Sequence, residues 1–373
     1  MKILLIPYNY PSKKNPNRAI FIKDQVKMLR SQGYYVTVLG GIPKTISDIF
    51  SSGSLRFGRN FDERWLISFP AFRGLFSFNN WIRTCLGKYL FKQYVRHNNK
   101  NLPDILHVHN SSSAELALWV KKKYEIPFIV TEHSSLMLSG YSKLSSLVFK
   151  ESIANIAVSK HFAQHLSKKY NEDFIYIPNV VDTDYFRPAK TSEKAGNIKV
   201  NIDDAVFVSV GNLTENKNHR LAIRAMKDIT TRFKNVKLFL AGEGPERRNL
   251  ERLIRKLQLC DNVFLLGKLP RREVRELLWQ SDFFVLPSKS ETFGVALIEA
   301  MAAGLPTLSL KNGGSESIIS SSVGLIAKDK RDFIACMEKL LERQFNSEQI
   351  IEYACLNFSE SAVFSLLKKV YTL

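Results

Sequence analysis

The sequence predicts an α/β protein of two doubly wound domains, each a parallel sheet covered by helices. Three observations lead to this fold class. Short apolar runs alternate with stretches of helical periodicity. The alternation starts afresh at Ala205-Val-Phe-Val-Ser-Val-Gly211. A length of 373 residues is more than one ordinary core accommodates. With 45% apolar and 24% charged residues, the composition excludes a disordered chain.

The first domain is predicted to comprise residues 1–184. It opens with a buried strand at Ile3 to Ile6, a helix from Phe21 to Gln32 that Gly33 ends, and a strand from Tyr35 to Leu39. This β-α-β order is the opening of a doubly wound domain.

Histidines mark two further strands of this domain. His107 and His109 share one face of the strand Pro103 to His109, because side chains alternate along a strand. His133 follows the strand that begins at Ile126. No acidic or cysteine partner stands at metal-ligand spacing, so no metal site is expected. A lone histidine at a strand end is usually structural.

The second domain is predicted to comprise residues 185–355. Residues 356–373 are predicted to form a terminal amphipathic helix that packs back on the first domain. The linker is predicted between Asp182 and Asn201, where loop-forming residues cluster. These linker residues are Pro188, Thr191, Ser192 and Gly196.

The stretch from Ser281 to Pro306 changes structural period around a polar turn. Phe283 to Leu286 is an apolar run typical of a buried parallel strand, and from Gly294 the pattern becomes helical. The helix therefore begins just beyond the carboxyl end of a strand, where open α/β sheets bind ligands and where free N–H groups can bind phosphate. Glu291 lies in the turn and Glu299 in the helix.

Charge and cysteine usage limit the possible partners and compartments. A net charge of +19 and a pI near 9.7 predict an anionic partner, which could be nucleic acid, a phospholipid surface or a phosphorylated substrate. The cysteines are scattered without a C-x-x-C pair, which favours inert thiols in a reducing cytosol. They are Cys85, Cys260, Cys336 and Cys355. No apolar run approaches the roughly 18 residues of a membrane-spanning helix, so a transmembrane protein is not expected.

Residues 51–100 interrupt the predicted alternation. Here aromatic residues, among them Phe57, Phe61 and Trp81, are interleaved with nine Lys or Arg against two acids, Asp62 and Glu63. Two interpretations are equally open. The stretch forms an anionic-surface interface, or it is a buried pair of helices whose aromatic side chains form core.

The motif around the two glutamates resembles a known family. Glu291-x7-Glu299, set in S-x-S-E-T-F-G-V-A-L-I-E-A-M-A-A-G-L-P, is similar to the nucleotide-sugar site of the retaining glycosyltransferases of family 4. The resemblance extends over nearly the whole chain and is densest from Val206 to Glu316. It implies the GT-B fold, two Rossmann-like domains facing across a cleft, with the nucleotide sugar on the second domain and the acceptor on the first.

The resemblance assigns roles to individual residues. Lys217 and the N–H groups of the Thr-Phe-Gly turn would hold the donor diphosphate, Glu299 the ribose, Glu291 the sugar hydroxyls, and His133 the donor sugar. His109 would line the cleft. The remaining donor-site positions are Gly211, Asn212, Thr292, Phe293, Gly294, and, beside the base, Lys268 and Leu269.

This chain departs from the family pattern at three places. Asn212 replaces an Arg that would grip the diphosphate, which removes a bidentate fork and a fixed charge. Arg18-Ala19 replaces a Gly-Gly pair, so Lys13, Lys14 and Arg18 are expected to bind charge by side chain. Glu316 stands one position early and receives no role. No Asp-x-Asp metal motif is evident, so a divalent metal is expected to be unnecessary.

The resemblance implies retaining transfer of a sugar from a UDP- or GDP-sugar donor to a sugar or lipid-linked acceptor. The expected setting is cell-surface polysaccharide or glycolipid biosynthesis, in the cytoplasm or peripherally on the inner face of the cell membrane. Two alternatives remain open: a non-catalytic binder of anionic surfaces or nucleic acid, and a GT-B epimerase or phosphorylase. No nucleic-acid-binding motif and no pyridoxal-lysine motif support them.

Overall fold

The computed structural model describes residues 1–11, 18–44, 64–72, 74–134, 137, 142–188 and 203–373. The chain forms two compact units, Met1–Pro178 together with Phe364–Leu373, and Asn179–Val363. The main segment of the first unit ends at Pro178, shortly before the domain boundary predicted at residue 184. Some sequence-based expectations concern positions outside the described residues, namely those for Lys13, Lys14, Phe57, Phe61, Asp62, Glu63, Thr191, Ser192 and Gly196.

The first unit is built on seven parallel strands. They are β1 (Lys2–Ile6), β2 (Tyr35–Lys44), β3 (Arg64–Pro70), β4 (Ile105–His109), β5 (Phe128–Glu132), β6 (Ala154–Ala157) and β7 (Phe174–Tyr176). The helices between them are α1 (Ile20–Ser31), α2 (Phe76–His97), α3 (Glu115–Tyr124), α4 (Lys143–Glu151) and α5 (Lys160–Tyr170). The sheet order is β3-β2-β1-β4-β5-β6-β7. The order reverses between β1 and β4, which is where doubly wound sheets place ligand sites.

The second unit is built on six parallel strands. They are β8 (Ala205–Val210), β9 (Val236–Ala241), β10 (Val263–Gly267), β11 (Phe283–Leu286), β12 (Thr307–Leu310) and β13 (Gly324–Ala327). The helices are α6 (Thr183–Phe186), α7 (His219–Arg232), α8 (Arg247–Lys256), α9 (Arg271–Trp279), α10 (Val295–Ala302), α11 (Lys330–Glu342) and α12 (Ser347–Phe358). The order β10-β9-β8-β11-β12-β13 reverses between β8 and β11. The prediction of two doubly wound α/β domains is thus confirmed.

Burial on both sheet faces explains why these strands read as continuous apolar runs. In β8, Val206, Phe207 and Val208 are all buried, as expected for a parallel strand covered by helices on both sides. Phe207 belongs to a core cluster that includes Leu238 of β9 and Phe333 of α11. This packing holds the carboxyl ends of the parallel strands along the same side of the sheet, where the loops that follow them converge.

The last helix, α13 (Glu360–Tyr371), carries the chain from the second unit to the first, where Phe364–Leu373 belongs. By length and composition alone, the described chain has one helical stretch that could cross a membrane, Ser347–Tyr371. Extended backbone at Ser359 (φ −63°, ψ 166°) divides this stretch into α12 and α13. A core helix of a soluble protein meets the same length and composition criterion.

The described part of residues 51–100 corrects the sequence analysis. Arg64–Pro70 is a strand that pairs in parallel with β2, so here the alternation continues and is not interrupted. Within the described residues 64–72 and 74–100, one strand and one helix, α2, are found and not a pair of helices. Trp65, Phe69 and Phe91 are buried while Phe76 and Trp81 are exposed, so the aromatic residues divide between core and surface.

Candidate functional site

The loops after β8 and β11 meet at the reversal point of the second sheet. Several hydrogen bonds join residues 212–218 to residues 287–291, and three of them end on main-chain carbonyls. The side-chain amides of Asn216 and Asn218 donate to the carbonyls of Ser290 (2.9 Å) and Pro287 (3.1 Å). The N–H of Lys289 donates to the carbonyl of Asn216 (2.8 Å). These bonds fix one loop against the other before any ligand is present.

The joined loops place Lys217 beside Glu291. Lys217 Nζ lies 2.5 Å from Glu291 Oε1, with side-chain exposures of 26% and 13%. A Cβ added at Gly211 would lie 3.6 Å from Lys217 Cδ, so the Lys217 stem passes close to Gly211. An ion pair at this depth is only partly screened by solvent, so an anionic group arriving here would meet a cation that is already oriented.

Helix α10 points its N-terminus at the same edge. Gly294 precedes it with φ 123°, a conformation that favours glycine, and as the N-cap residue it makes no side-chain capping bond to the helix. Phe293 is buried beneath Gly314, where an added Cβ would lie 2.4 Å from the Phe293 carbonyl oxygen. Gly314 therefore packs closely against the Thr292-Phe293-Gly294 turn and restricts its movement. The N–H groups of the turn must be held in place in this way if they are to act as preorganised donors.

A second polar loop supports this turn. The N–H of Glu291 donates to the carbonyl of Asn312 (3.0 Å), and Asn312 Oδ1 accepts from the N–H groups of Gly314 and Ser315 (3.1 and 3.0 Å). Glu316 accepts from the N–H of Gly313 (2.9 Å). Sequence analysis missed Asn312 and left Glu316 without a role. The Asn-Gly pair was the available signal, since Asn side chains commonly close such turns.

Glu299 lies near the β10–α9 turn. Its Oε1 is 4.0 Å from Nη2 of Arg271, the first residue of α9, which follows Leu269 by two positions. The Arg271 guanidinium also lies over the rings of Tyr185 and Phe186, 5.3 Å from each centroid. The structure thus places Glu299 close to the turn that contains Lys268 and Leu269. Arg271 is a neighbour that the sequence analysis missed.

Asn212 is exposed just beyond β8, at the start of the loop that carries Lys217. Its carbonyl accepts from the N–H of Thr214 (2.8 Å). The fixed positive charge of this loop that lies beside Glu291 is Lys217.

The first unit holds a column of three histidines near its strand ends, of which His107 and His109 are buried and His133 is partly buried. Ring centroids of His107 and His109 are 4.5 Å apart, and those of His109 and His133 are 5.1 Å apart, both pairs stacked. His109 Nδ1 and His133 Nε2 form a 2.9 Å hydrogen bond. The Phe21 ring of α1 packs on His133 with a centroid distance of 4.7 Å.

His107 closes the inner end of the column. Its Nδ1 lies 2.6 Å from the hydroxyl of Tyr371, and its Nε2 lies 2.7 Å from the Thr131 hydroxyl. Tyr371 therefore attaches the end of α13 to the centre of the first sheet. Sequence analysis predicted a terminal helix but could not identify this contact.

Burial keeps all three rings neutral near pH 7. Desolvation lowers the pKa of His107 and of His133 to about 3, and it lowers the pKa of His109 well below its ordinary value. A neutral ring has one donor and one acceptor nitrogen, so the His109–His133 hydrogen bond needs no proton from solvent. In the described residues no group of three His, Cys, Asp or Glu is placed to hold a metal ion.

Glu132 supports the strand end that carries His133. Its carboxyl is fully buried and accepts from the N–H and hydroxyl of Ser111 (2.9 and 2.8 Å) and from the N–H groups of His133 and Ser134 (3.1 and 3.0 Å). Burial raises its pKa above the ordinary value, against these hydrogen bonds. Sequence analysis had given Glu132 no role.

The loop after β1 shows the consequence of the missing Gly-Gly pair. Ala19 adopts left-handed backbone angles (φ 52°, ψ 39°) directly before α1. Glycine adopts this conformation at far lower cost than alanine, for which it costs about 1–2 kcal/mol. The chain thus keeps a backbone shape suited to glycine without the glycine.

Two family models match the chain in succession. The model described as Glycosyltransferase Family 4 matches residues 19–185, and the model described as Glycosyl transferases group 1 matches residues 191–356. Together they match most of both units and include His109, His133 and the candidate donor-site residues from Gly211 to Glu299.

Curated relatives match over different lengths. The putative teichuronic acid biosynthesis glycosyltransferase TuaC of Bacillus subtilis (strain 168) is 25% identical over 88% of this chain and 86% of its own length. N-acetyl-alpha-D-glucosaminyl L-malate synthase of Bacillus anthracis is 28% identical over 58% of each chain. A phosphatidylinositol N-acetylglucosaminyltransferase protein of Arabidopsis thaliana is 30% identical over 44% of this chain. This chain spans only 36% of the Arabidopsis protein.

Solved structures share the fold over the full chain. Sucrose-phosphate synthase from Thermosynechococcus elongatus superposes with a TM-score of 0.79 at 17% identity, covering 100% of this chain and 98% of that one. Anabaena HepE in complex with UDP gives a TM-score of 0.74 at 16% identity, covering 100% of both chains. At these identities the likeness concerns the fold.

Proposed function

Since the chain belongs to glycosyltransferase family 4, among the glycosyl transferases of group 1 with GT-B fold, we propose that it moves a sugar from a nucleoside-diphosphate sugar to a hydroxyl acceptor with retention of configuration. The observation that carries the proposal is the Lys217–Glu291 pair at the reversal point of the second sheet, next to the N-terminus of α10. A cation and a helix N-terminus together suit a diphosphate.

The chemistry needs stabilisation of the leaving diphosphate. As the bond between the sugar and the diphosphate breaks, negative charge develops on the phosphate oxygens, and preorganised donors at that place lower the barrier. Lys217 supplies a positive charge, and the turn of Thr292, Phe293 and Gly294 supplies N–H groups. Because Asn212 brings no charge, Lys217 bears a larger share of this task than it would beside an Arg.

Glu291 and Glu299 hold the two ends of the donor in this proposal. Glu291 accepts hydrogen bonds from sugar hydroxyls once the phosphate has drawn Lys217 toward itself. Glu299 accepts from the ribose hydroxyls, and the turn at Lys268 and Leu269 receives the base of a UDP- or GDP-sugar. His133, neutral because it is buried, offers a hydrogen bond to the donor sugar. We propose that no divalent metal is required.

The acceptor is proposed to be a sugar or a lipid-linked sugar of cell-surface polysaccharide or glycolipid synthesis. The names of two relatives support this direction: one concerns teichuronic acid biosynthesis and another phosphatidylinositol. The protein would then work in the cytoplasm, peripherally at the inner face of the cell membrane.

A thermal-shift screen with UDP, GDP, ADP and their sugars tests the donor site. A ligand at one hundred times its Kd stabilises the folded protein by about 2.7 kcal/mol, so one nucleotide class should raise the Tm of the wild type clearly. The increase should persist when EDTA is added and should shrink in Glu299→Ala. Absence of a shift with every nucleotide would overturn the proposal. Conversion of a nucleotide sugar to its epimer without an acceptor would replace transfer by epimerisation.

A further inference from the structure

A cluster of exposed apolar side chains surrounds the start of α2. This aromatic patch consists of Phe72, Leu75, Phe76, Phe78 and Trp81. Their exposed fractions are 38%, 54%, 72%, 45% and 60%, respectively. Large apolar side chains are ordinarily exposed one at a time, and a contiguous group of them on a surface indicates an interaction site.

The patch is held in shape by its own contacts. The rings of Phe78 and Trp81 stack with centroids 5.8 Å apart, and those of Phe72 and Phe78 lie 5.7 Å apart. Asn79 fixes the preceding turn, because its side chain accepts from the N–H of Phe72 (2.9 Å) and donates to the carbonyl of Phe72 (2.8 Å). The apolar side chains therefore project from an ordered turn and helix.

The outward stripe of α2 continues from this patch into a basic end. Positions three and four apart lie on one helix face, and the exposed residues Phe78, Trp81, Cys85 and Tyr89 follow that spacing. The stripe goes on through exposed Lys92 and Arg96. Aromatic side chains thus occupy one end of the helix surface and cations the other.

Charge decides what kind of surface can cover this stripe. Residues 65–100 contain no Asp or Glu, whereas Lys and Arg recur throughout them. A protein partner would ordinarily meet a mixture of both signs, whereas an anionic bilayer presents a uniform negative charge above an apolar interior. Phe and Trp rings insert at the headgroup level, and cations beside them contact lipid phosphates.

We propose that the aromatic patch inserts into an anionic lipid bilayer while Lys92, Arg96 and Lys100 lie along the headgroups. The role of this contact in presenting a lipid-linked acceptor rests on the proposed function, but the docking itself does not. The two open interpretations of the basic aromatic stretch then apply to different side chains. Trp65, Phe69, Phe91 and Tyr94 form core, and the aromatic patch binds lipid.

Arg83 does not belong to the docking surface, although it lies between the patch and the basic end in sequence. Its side chain is buried, lies over the Tyr8 ring at 4.5 Å, and donates to Asn80 Oδ1 (2.9 Å). Desolvation lowers its pKa. Substituting Arg83 would damage the fold, so a docking variant must leave it unchanged.

Vesicle co-sedimentation tests the proposal, with vesicles of phosphatidylcholine alone and of phosphatidylcholine with phosphatidylglycerol, at low and high salt. The wild type should bind only the anionic vesicles and should be released by salt. Phe76→Ser/Trp81→Ser should bind at least about tenfold more weakly, because the insertion is lost. Lys92→Ser/Arg96→Ser should also bind more weakly and lose most of the salt dependence. Leu356→Ser, which removes an apolar side chain 70% exposed in the second unit, is the matched control and should bind as the wild type does.

Three outcomes would overturn the docking surface. Equal binding by the wild type and by Phe76→Ser/Trp81→Ser would mean that lipid contacts another surface. No binding by the wild type would exclude a lipid partner, and concentration-dependent dimerisation that requires Trp81 would assign the patch to a second copy of the chain. Nucleotide binding measured on the same samples separates this proposal from the donor site: vesicle binding without nucleotide binding would overturn only the latter.

Discussion

The two units place polar groups at the same topological position in opposite ways. In the second unit, Lys217 and Glu291 carry opposite charges at a partly exposed edge. In the first unit, His107 and His109 are buried, His133 is partly buried, and all three rings are uncharged near pH 7. Burial penalises a charge heavily and a neutral hydrogen-bonded ring only slightly. The edge that we propose neutralises a phosphate is therefore partly open to solvent, whereas the histidine column is more deeply buried.

Because the two units differ in this way, lowering the pH should be the strongest test of the comparison between them. His107 and His133 each have a folded-state pKa near 3, against about 6.5 in the unfolded chain, so the unfolded state binds more protons between those values. Stability then falls as pH decreases below about 6.5. At pH 5 each ring should cost about 2 kcal/mol of unfolding free energy.

Hydrogen exchange measured from pH 7 to pH 5 checks this expectation. Amides of β4 and β5 in the first unit should lose protection before those of β8 and β11. His219, the buried histidine of the second unit with a pKa lowered to about 4, gives that unit a smaller acid sensitivity. Simultaneous loss in both units would mean that the three-histidine column is not the acid-labile element.

Lys217→Ala should have the largest effect on catalysis. Loss of one preorganised charge at the leaving group lowers kcat by roughly a hundredfold or more, with a smaller change in KM. Lys328→Ala is the matched control, because Lys328 is exposed just after β13 at the far edge of the same sheet. Normal turnover by Lys217→Ala would move phosphate neutralisation to another residue.

Glu299→Ala should weaken nucleotide binding by about tenfold while the protein stays folded, since a hydrogen bond to a charged group contributes about 1.5–3 kcal/mol. The loss should appear in the Kd for the nucleotide and little in kcat. Titration calorimetry measures it, with Glu276→Ala as the control. Glu276 pairs with Arg272 on the outer side of α9 (2.7 Å) and has no part in the proposed site. An unchanged Kd would remove Glu299 from the ribose site.

His109→Phe should have the smallest effect on turnover. It should also distinguish best between the contributions of the two units. The change keeps an aromatic ring in the stack but removes the hydrogen bond to His133. Turnover should fall by about threefold to tenfold, as expected for loss of one neutral hydrogen bond, while nucleotide affinity stays constant. If turnover is unchanged and the fold intact, His133 has no role toward the donor sugar.

Most of the fold could be predicted from the sequence because parallel strands and their crossover helices leave local patterns. The strand Phe283–Leu286 and the helix after Gly294 are examples. β3 was missed because its sequence, Arg64–Pro70, lies in a strongly aromatic basic stretch and pairs at the sheet edge. Edge strands lack the uninterrupted apolar run that identifies a central strand.

The candidate donor-site residues were predicted from one motif and the family resemblance, but their contacts were not. Glu291 and Glu299 lie in a single stretch and the resemblance added Lys217, whereas the ion pair between Lys217 and Glu291, 74 positions apart, was not predicted. The supporting residues Asn216, Asn312 and Glu132 act through hydrogen bonds to backbone groups, which any sequence of loop residues could make. Tyr371 reaches His107 across 264 positions, and no local pattern records that distance.

Hydrogen exchange with and without the nucleotide selected by the thermal screen tests the central claim most directly. The account predicts slower exchange in three segments of the second unit when nucleotide binds: residues 211–218, residues 288–294 and residues 267–271. In Lys217→Ala the protection of the first two segments should decrease while that of residues 267–271 remains. Protection confined to other segments, or none in the wild type, would contradict the assignment of the donor site to the reversal point of the second sheet.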